Sequence, residues 1–215
     1  MARSLLAVLA VAILAPAVAS AGDAPPGYRR HAVSNAGVSI AVPIGWQVLA
    51  QRDAVFPGAR QNLTRLDASF GPTLTSLGMP DSPLKIFAFD QRFRRGHPTT
   101  LLVVQATYRR PAAYERWAPG MVRALRAAPG KVGAVAHTGV ALPMGRALRA
   151  TYRTRTRETV VVYLVPGPAG IFALLLRTPT ARAATDAPAL ARMARSLDLQ
   201  APLGGPYLHQ PPPGS

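Results

Sequence analysis

The sequence contains no cysteine in its 215 residues. No disulfide can therefore stabilise the fold, and no thiol can act as a nucleophile or bind a metal. The cysteine to which lipid is attached in a lipoprotein is missing as well, so we do not expect that form of anchoring. We expect a folded part that is stabilised by its hydrophobic core alone.

Acidic residues are also scarce. Aspartate and glutamate together number nine against 25 lysines and arginines, which gives a formal net charge of +16. All of the basic residues except Lys85 and Lys131 are arginines. Such an excess suits an anionic partner, namely nucleic acid, acidic lipid or acidic glycan. A GC-rich genome under weak constraint produces the same composition, and we favour that explanation for the excess as a whole.

Long hydrophobic runs are absent after the first 21 residues. The segment MARSLLAVLAVAILAPAVASA has one basic residue, an apolar run from Leu5 to Ala15 and an A-x-A site that ends at Ala21. This order is typical of a secretory signal peptide, and the apolar run is short for a membrane span. We expect residues 1–21 to be cleaved off, which leaves a protein that is secreted or periplasmic, in the cell envelope. A retained N-terminal anchor is the alternative.

Signals of catalysis are missing too. No G-x-S-x-G sequence marks a nucleophile elbow, and no glycine-rich loop is suited to phosphate. Asp81 and Asp90 flank a predicted strand, but nothing in the sequence pairs them as an acid and a base. No two histidines have the i, i+2 or i, i+4 spacing of a local metal site; they are His31, His97, His137 and His209. We therefore predict no catalytic residue, no metal and no cofactor, and a protein that is not an enzyme.

What the chain does contain is a succession of strand patterns. Residues 31–200 are predicted to form one domain, between a Pro/Gly linker at residues 22–30 and a disordered Pro/Gly-rich tail at residues 201–215. Nine segments alternate in polarity or are continuously apolar, as strands are. They are His31–Ser34, Val38–Val42, Trp46–Ala50, Leu84–Phe89, Thr99–Tyr108, Val132–Leu142, Arg146–Thr156, Thr159–Val165 and Ile171–Arg177. Short connections between several of them favour antiparallel neighbours.

Three segments have helical spacing instead. Apolar residues in Tyr114–Leu125 recur at i, i+3, i+4, i+7, i+8 and i+11, and Pro119 is expected to kink this helix or split it. A second stripe lies in Leu190–Leu197, after Asp186 as the predicted N-cap. A third lies in Leu63–Leu77. A few separate helices among consecutive strands predict an α+β fold, in which helices pack on the faces of an antiparallel sheet.

Three short motifs occur in an order that resembles PsbP-like domains. An early strand ends in Val42–Trp46 (VPIGW), the middle of the chain contains Leu142–Ala147 (LPMGRA) before an aromatic strand, and the closing helix ends in Met193–Leu197 (MARSL). The middle motif is similar to that of LpqN-type actinobacterial envelope proteins of this superfamily. The resemblance covers nearly all of residues 33–199 and implies an α/β/α sandwich around a central antiparallel sheet, with Trp46 as a core aromatic. It implies no shared chemistry, since members act as accessory or adaptor proteins or are associated with lipid handling.

One basic pattern exceeds what composition alone predicts. In RATYRTRTR, residues 149–157, the positions of the four arginines differ by even numbers. A single strand would place them on one face, with Ala150 and Tyr152 on the other. Arginine binds phosphate or carboxylate groups with two hydrogen bonds. The alternative, which we favour, is a solvated, charged face or edge that discourages strand pairing. The candidate ligand-binding residues on this basic strand face are Arg149, Arg153, Arg155 and Arg157.

Together these features predict an exported, non-enzymatic domain that binds a protein or a component of the cell envelope. Weak contact with an anionic membrane surface is compatible with this function. Aromatic residues are sparse among the arginines, which argues against nucleic acid. The first alternative is a carrier or chaperone for an apolar or amphipathic envelope ligand, held in an open pocket between the sheet and the Tyr114–Leu125 helix. The second is an enzyme whose catalytic groups meet only in the folded chain.

Overall fold

The computed structural model describes residues 24–33, 36–51, 70–79, 81–92, 98–109 and 111–200. The predicted signal peptide and the predicted tail lie outside these residues. The strands are β1 Tyr28–Val33, β2 Val38–Pro43, β3 Trp46–Ala50, β4 Leu84–Asp90, β5 Thr100–Gln105, β6 Lys131–Leu142, β7 Gly145–Thr154, β8 Glu158–Gly167, β9 Gly170–Pro179 and β10 Asp198–Leu199. The helices are α1 Phe70–Leu77, α2 Tyr114–Arg126 and α3 Ala183–Ser196, and a short 3-10 turn, Thr180–Arg182, precedes α3.

Seven of the strands form a central sheet in the order β3-β4-β5-β9-β8-β7-β6, and all neighbours are antiparallel. Every residue of β4 is buried, and β8 is buried from Glu158 to Val165. Strands that are apolar on both sides need a covering layer on each face of the sheet. The prediction of a mixed α+β fold with antiparallel strands is confirmed.

Two helices lie on one face of the central sheet. α1 buries Phe70, Leu74 and Leu77 in a cluster with side chains of β3 and β4. α2 packs on the other half of this face, against β7, β8 and β9. It is continuous through Pro119, so the predicted alternative of two separate turns is wrong. Residues on both sides of the proline pack into the same cluster, and tertiary packing of this kind maintains a helix against a poor local residue.

The opposite face is covered by α3 and by a second sheet in the order β1-β2-β10. Ile40 of β2 and Met193 of α3 are fully buried there, in one cluster with Leu101 and Leu174 of the central sheet. The sequence predicted one sheet only. A second sheet exists because the chain leaves β2 at Pro43, which cannot continue a ladder, and turns before it enters β3 in the other layer.

Trp46 stands at this passage between the two sheets. It is the first residue of β3, is half-buried and packs against the main core cluster. The turn before it contains Gly45, whose φ of 94° lies in the region that glycine adopts without strain. The predicted strand junction is therefore present, with the tryptophan at the border of the core rather than in its centre.

The start of the domain differs from the prediction. β1 begins at Tyr28, inside the predicted linker 22–30, and pairs with β2 from Tyr28 opposite Pro43 to Val33 opposite Val38. Tyr28 packs against the main core cluster. The sequence did not predict that the strand begins at Tyr28. Two arginines and a histidine follow this residue, so apolar and polar residues do not alternate there as they do in most strands.

Candidate binding site

Arg149 and Arg153 lie on β7, one strand in from the β6 edge of the central sheet. They share the side of β7 that carries Ala147, a member of the main core cluster, while Tyr152 on the other side packs into the α2 cluster. Arg149 is half-buried, whereas Arg153 is exposed. For these two arginines the predicted separation of a basic side and a tyrosine side is confirmed.

The other two predicted arginines are not on a strand. β7 ends at Thr154, so Arg155 and Arg157 lie in the turn to β8, and the prediction of one strand face for all four is wrong. The backbone N–H of Arg157 donates to the carbonyl of Thr154 at 3.2 Å, which closes the turn. The even spacing could not predict that β7 ends at Thr154, because threonine and arginine keep alternating in the sequence beyond that residue. Whether the four residues bind a ligand stays a prediction.

None of these four side chains forms a hydrogen bond or an ion pair within the part of the chain that the structure describes. Residues 111–185 contain ten arginines and one lysine but only two carboxylates, Glu115 and Glu158. Oε1 of Glu115 lies 2.7 Å from Nη1 of Arg146, and Oε2 of Glu158 lies 2.7 Å from Nη2 of Arg177. Both carboxylates are therefore paired with other arginines, and no carboxylate of the described residues pairs with the four predicted ones.

Arg157 has an unusual backbone conformation. Its φ is 59°, and among the described residues it is the one non-glycine residue with a positive φ. A side chain in this region costs about 1–2 kcal/mol, which is why glycine usually takes this place in a three-residue hairpin loop. The carbonyl of Arg157 accepts hydrogen bonds from the backbone N–H and Oγ1 of Thr180, at 3.0 and 2.9 Å, which hold the strained residue in place.

β6 forms an open edge beside these arginines. It pairs with β7 from Ala136 opposite Thr151 to Leu142 opposite Gly145, and no other described strand lies along its second edge. Most of its residues are exposed. The arginines of β7 are thus one strand away from an edge of free backbone groups.

A second charged cluster, which the sequence did not predict, lies where β4 ends. Nε and Nη2 of Arg92 donate to the two oxygens of Asp90 at 2.9 and 3.1 Å, and Nη2 of Arg182 lies 3.5 Å from Asp90 Oδ2. Burial by itself raises the pKa of Asp90, but the hydrogen bonds and charge of Arg92, with a hydrogen bond from Arg182, outweigh burial and hold the pKa below its ordinary 3.8. Asp90 is therefore a charged structural group rather than a proton donor.

Asp186 belongs to the same cluster. It is not the predicted N-cap of α3: the helix begins at Ala183, with Arg182 at the N-cap position, because the 3-10 turn already starts the helical path. Its Oδ2 accepts hydrogen bonds from the hydroxyls of Thr99 and Thr178, each at 2.6 Å, and Oδ1 lies 3.3 Å from Nη2 of Arg182. Both threonines are fully buried, Thr178 on β9 and Thr99 just before β5, so the carboxylate joins α3 to these two strands.

Lys85, one of the two lysines, is buried at a bulge of β4. Nζ donates to the carbonyl of Ser82 at 2.6 Å and to Oε1 of Gln51 at 3.2 Å. Burial lowers the pKa of Lys85, and the negative charge of Asp81 offsets part of this shift. The sequence did not predict that Lys85 is buried, since a lysine is ordinarily exposed even next to apolar residues of a strand.

The contact between α2 and the sheet bears on the carrier alternative. Ala118 and Val122 of α2 are buried in one cluster with Leu148 of β7 and Val162 of β8, and the flanking aromatic Trp117 packs onto it. Side chains thus occupy the contact in which a carrier would hold its ligand.

Within the described ranges, no group of three or more histidine, aspartate or glutamate residues is arranged to hold a metal ion. None of the helices described there is long and apolar enough to cross a membrane. Of the four histidines, His31 lies on β1 and His137 on the exposed edge strand β6. His97 and His209 lie outside the described residues.

A scan against protein-family models finds no match, and a search of curated proteins finds none either. Among solved structures, the chain is similar to the cyanobacterial PsbP protein (CyanoP) of Synechocystis sp. PCC 6803. The two share 11% sequence identity at a TM-score of 0.47, over 83% of this chain and 96% of that chain. A likeness at this level establishes neither a common fold nor a shared role, so the PsbP-like and LpqN-type resemblances stay predictions.

Proposed function

We propose that the protein is an exported, non-enzymatic domain that binds a partner protein through the arginines of β7 and of the turn that follows it. The observation that carries this proposal is four guanidinium groups within nine residues that have no partner among the described residues, in a region whose two carboxylates, Glu115 and Glu158, pair with other arginines. Guanidinium groups that the fold leaves unpaired are free to form two-point hydrogen bonds with carboxylates of another molecule.

The strain at Arg157 supports the same proposal. A glycine at this position would relieve the unfavourable φ of 59°, yet the chain has an arginine there. Strain that persists in a folded protein is concentrated at functional positions. An arginine retained at a place suited to glycine is therefore better explained by a use for its side chain than by the composition of the chain.

The test is chemical crosslinking of the protein in the envelope fraction of its own host. A variant with Arg149, Arg153, Arg155 and Arg157 all changed to glutamine should lose its crosslinked protein partner. A control variant should keep the partner, with four other exposed arginines changed to glutamine: Arg116, Arg123, Arg126 and Arg195. Equal crosslinking by both variants contradicts the proposal, and an extractable lipid bound to the purified protein would favour the carrier instead.

A further inference from the structure

β6 is a long strand, and no described strand pairs with one of its two edges. In antiparallel pairing, alternate residues direct their backbone N–H and C=O groups away from the partner strand. Ala136–Leu142 is in unbroken register with β7, and no described residue pairs with the opposite edge of this stretch. Seven consecutive residues therefore present a regular row of backbone donors and acceptors to solvent.

Charged residues, proline and a bulge, which commonly protect an edge strand, are missing from Ala136–Leu142. Natural sheets prevent edge pairing with charged residues, prolines, bulges, short strands or a covering element. Ala136–Leu142 reads AHTGVAL, without lysine, arginine, aspartate, glutamate or proline. The bulge near Gly133 affects only the start of β6. At the other end of the central sheet, the edge strand β3 has five residues, whereas β6 has twelve.

The charge beside this edge indicates what would pair with it. Arg149 lies opposite Thr138 of β6, and Arg153 lies opposite Val132. A strand added to β6 would lie about 10 Å from β7, since neighbouring strands are about 4.8 Å apart. The side chains of Arg149 and Arg153 are long enough to reach across β6, so acidic side chains on the added strand would pair with them.

A second copy of this chain fits the edge less well. Pairing of β6 with β6 of another molecule would bring two rows of unpaired arginines together on chains that each have a formal charge of +16. Repulsion of like charge opposes such a dimer. We propose that an extended acidic segment of a partner protein adds to β6 as an eighth strand of the central sheet, by the strand-addition mode of peptide recognition. This rests on the proposed function and specifies how the partner is held.

The probe is a ten-residue fluorescent peptide of alternating glutamate and valine with both termini blocked, and the protein is the full mature chain. We expect binding at low ionic strength that weakens as salt is added. In the complex, amide hydrogens of alternate residues in Ala136–Leu142 should exchange about tenfold more slowly, because the added strand accepts their hydrogen bonds. Protection elsewhere in the chain with none in β6 would overturn the proposal.

Backbone N-methylation of the peptide separates strand addition from charge attraction. Two controls have the same side chains, with the odd-numbered or the even-numbered residues methylated on nitrogen. An added strand uses one of its edges, so at least one control should lose about tenfold or more in affinity. If both controls bind as the parent peptide does, charge alone holds the peptide and strand addition is wrong, although the proposed function stands.

Arginine variants test the proposed function separately. The pair Arg149→Gln and Arg153→Gln should weaken peptide binding by about tenfold, while Arg123→Gln with Arg126→Gln on α2 should leave it nearly unchanged. Unchanged binding by the first pair, with β6 still protected, would contradict the role of the arginines and leave strand addition standing. Absence of binding by every peptide overturns strand addition. If the protein alone sediments as a dimer in analytical ultracentrifugation, the second edge of β6 is better explained as the contact between two copies.

Discussion

At the β4–β5 end of the central sheet, Arg92 and Arg182 contact the carboxylates of Asp90 and Asp186, whereas Arg149 of β7 contacts no carboxylate of the described residues. Both regions are rich in the same residue type, so the difference lies in what surrounds it. Buried carboxylates that are paired with arginines contribute to the fold, because removal of one partner leaves buried polar groups without a hydrogen bond. Exposed unpaired arginines contribute little to stability and remain available to another molecule.

The largest effect is expected at the paired end. Asp186→Ala removes the acceptor that two buried threonine hydroxyls share, so the free energy of unfolding should fall by about 2–4 kcal/mol. Urea unfolding measures this change. The matched control is Asp81→Ala, since Asp81 is exposed and forms no ion pair with another described residue. A loss equal to that of the control would mean that the cluster does not stabilise the fold.

Low pH should reduce the stability that Asp90 contributes at the same end of the sheet. The pKa of Asp90 is lower in the folded protein than its ordinary 3.8, so its contribution to stability is complete above that value and is lost as the pH falls through the folded pKa. Asp90→Asn should therefore be less stable than the natural protein at pH 7, and the difference should narrow below about pH 4. Thermal unfolding from pH 7 to pH 3 measures both. A difference that does not change with pH would contradict the lowered pKa.

At the unpaired end, one substitution should stabilise the protein. Arg157→Gly removes the strain of a positive φ, and the free energy of unfolding should rise by about 1 kcal/mol. Arg155→Gly is the matched control in the same turn; it should give no such gain, since Arg155 has no positive φ. If Arg157→Gly also weakens partner binding, the strain is retained for the sake of the side chain. A lower free energy of unfolding for Arg157→Gly would show that the positive φ of Arg157 does not strain the protein.

The smallest effect is expected for the arginines of β7. Arg149→Gln with Arg153→Gln should change the free energy of unfolding by less than about 0.5 kcal/mol, because neither side chain has a partner among the described residues. Their effect should appear in binding alone. A larger loss of stability in urea would show that these arginines belong to the fold, and the contrast between the two ends of the sheet would then disappear.

Much of the secondary structure was predictable from the sequence because its signals are local. The alternation of β5 correctly assigned Leu101 and Val103 to one face, where they are fully buried, and Leu102 and Val104 to the other, where they are half-buried. The apolar stripe of α2 likewise predicted its buried face. Side-chain periods of two in strands and 3.6 in helices are properties of the backbone, so they are visible in a single sequence.

The candidate site was predictable only in part, because only some of its features follow from local periodicity. Even spacing identified the arginines and placed Arg149 and Arg153 correctly on one side of β7. The end of the strand at Thr154 depends on a turn that Thr180, over twenty residues later, helps to hold through Arg157. No local pattern records such a contact.

The sequence by itself determined the order of the strands and helices, their apolar faces and a basic segment around residues 149–157. The tertiary structure alone decided that the strands divide into two sheets, that β6 becomes an open edge, and which arginines find a carboxylate. Asp186 meets Thr99, 87 residues away in the chain, whereas Arg149 and Arg153 of β7 meet no acidic group within the described residues. Charge pairing depends on which distant segments come together, and that follows from the packing of the whole core rather than from any local pattern.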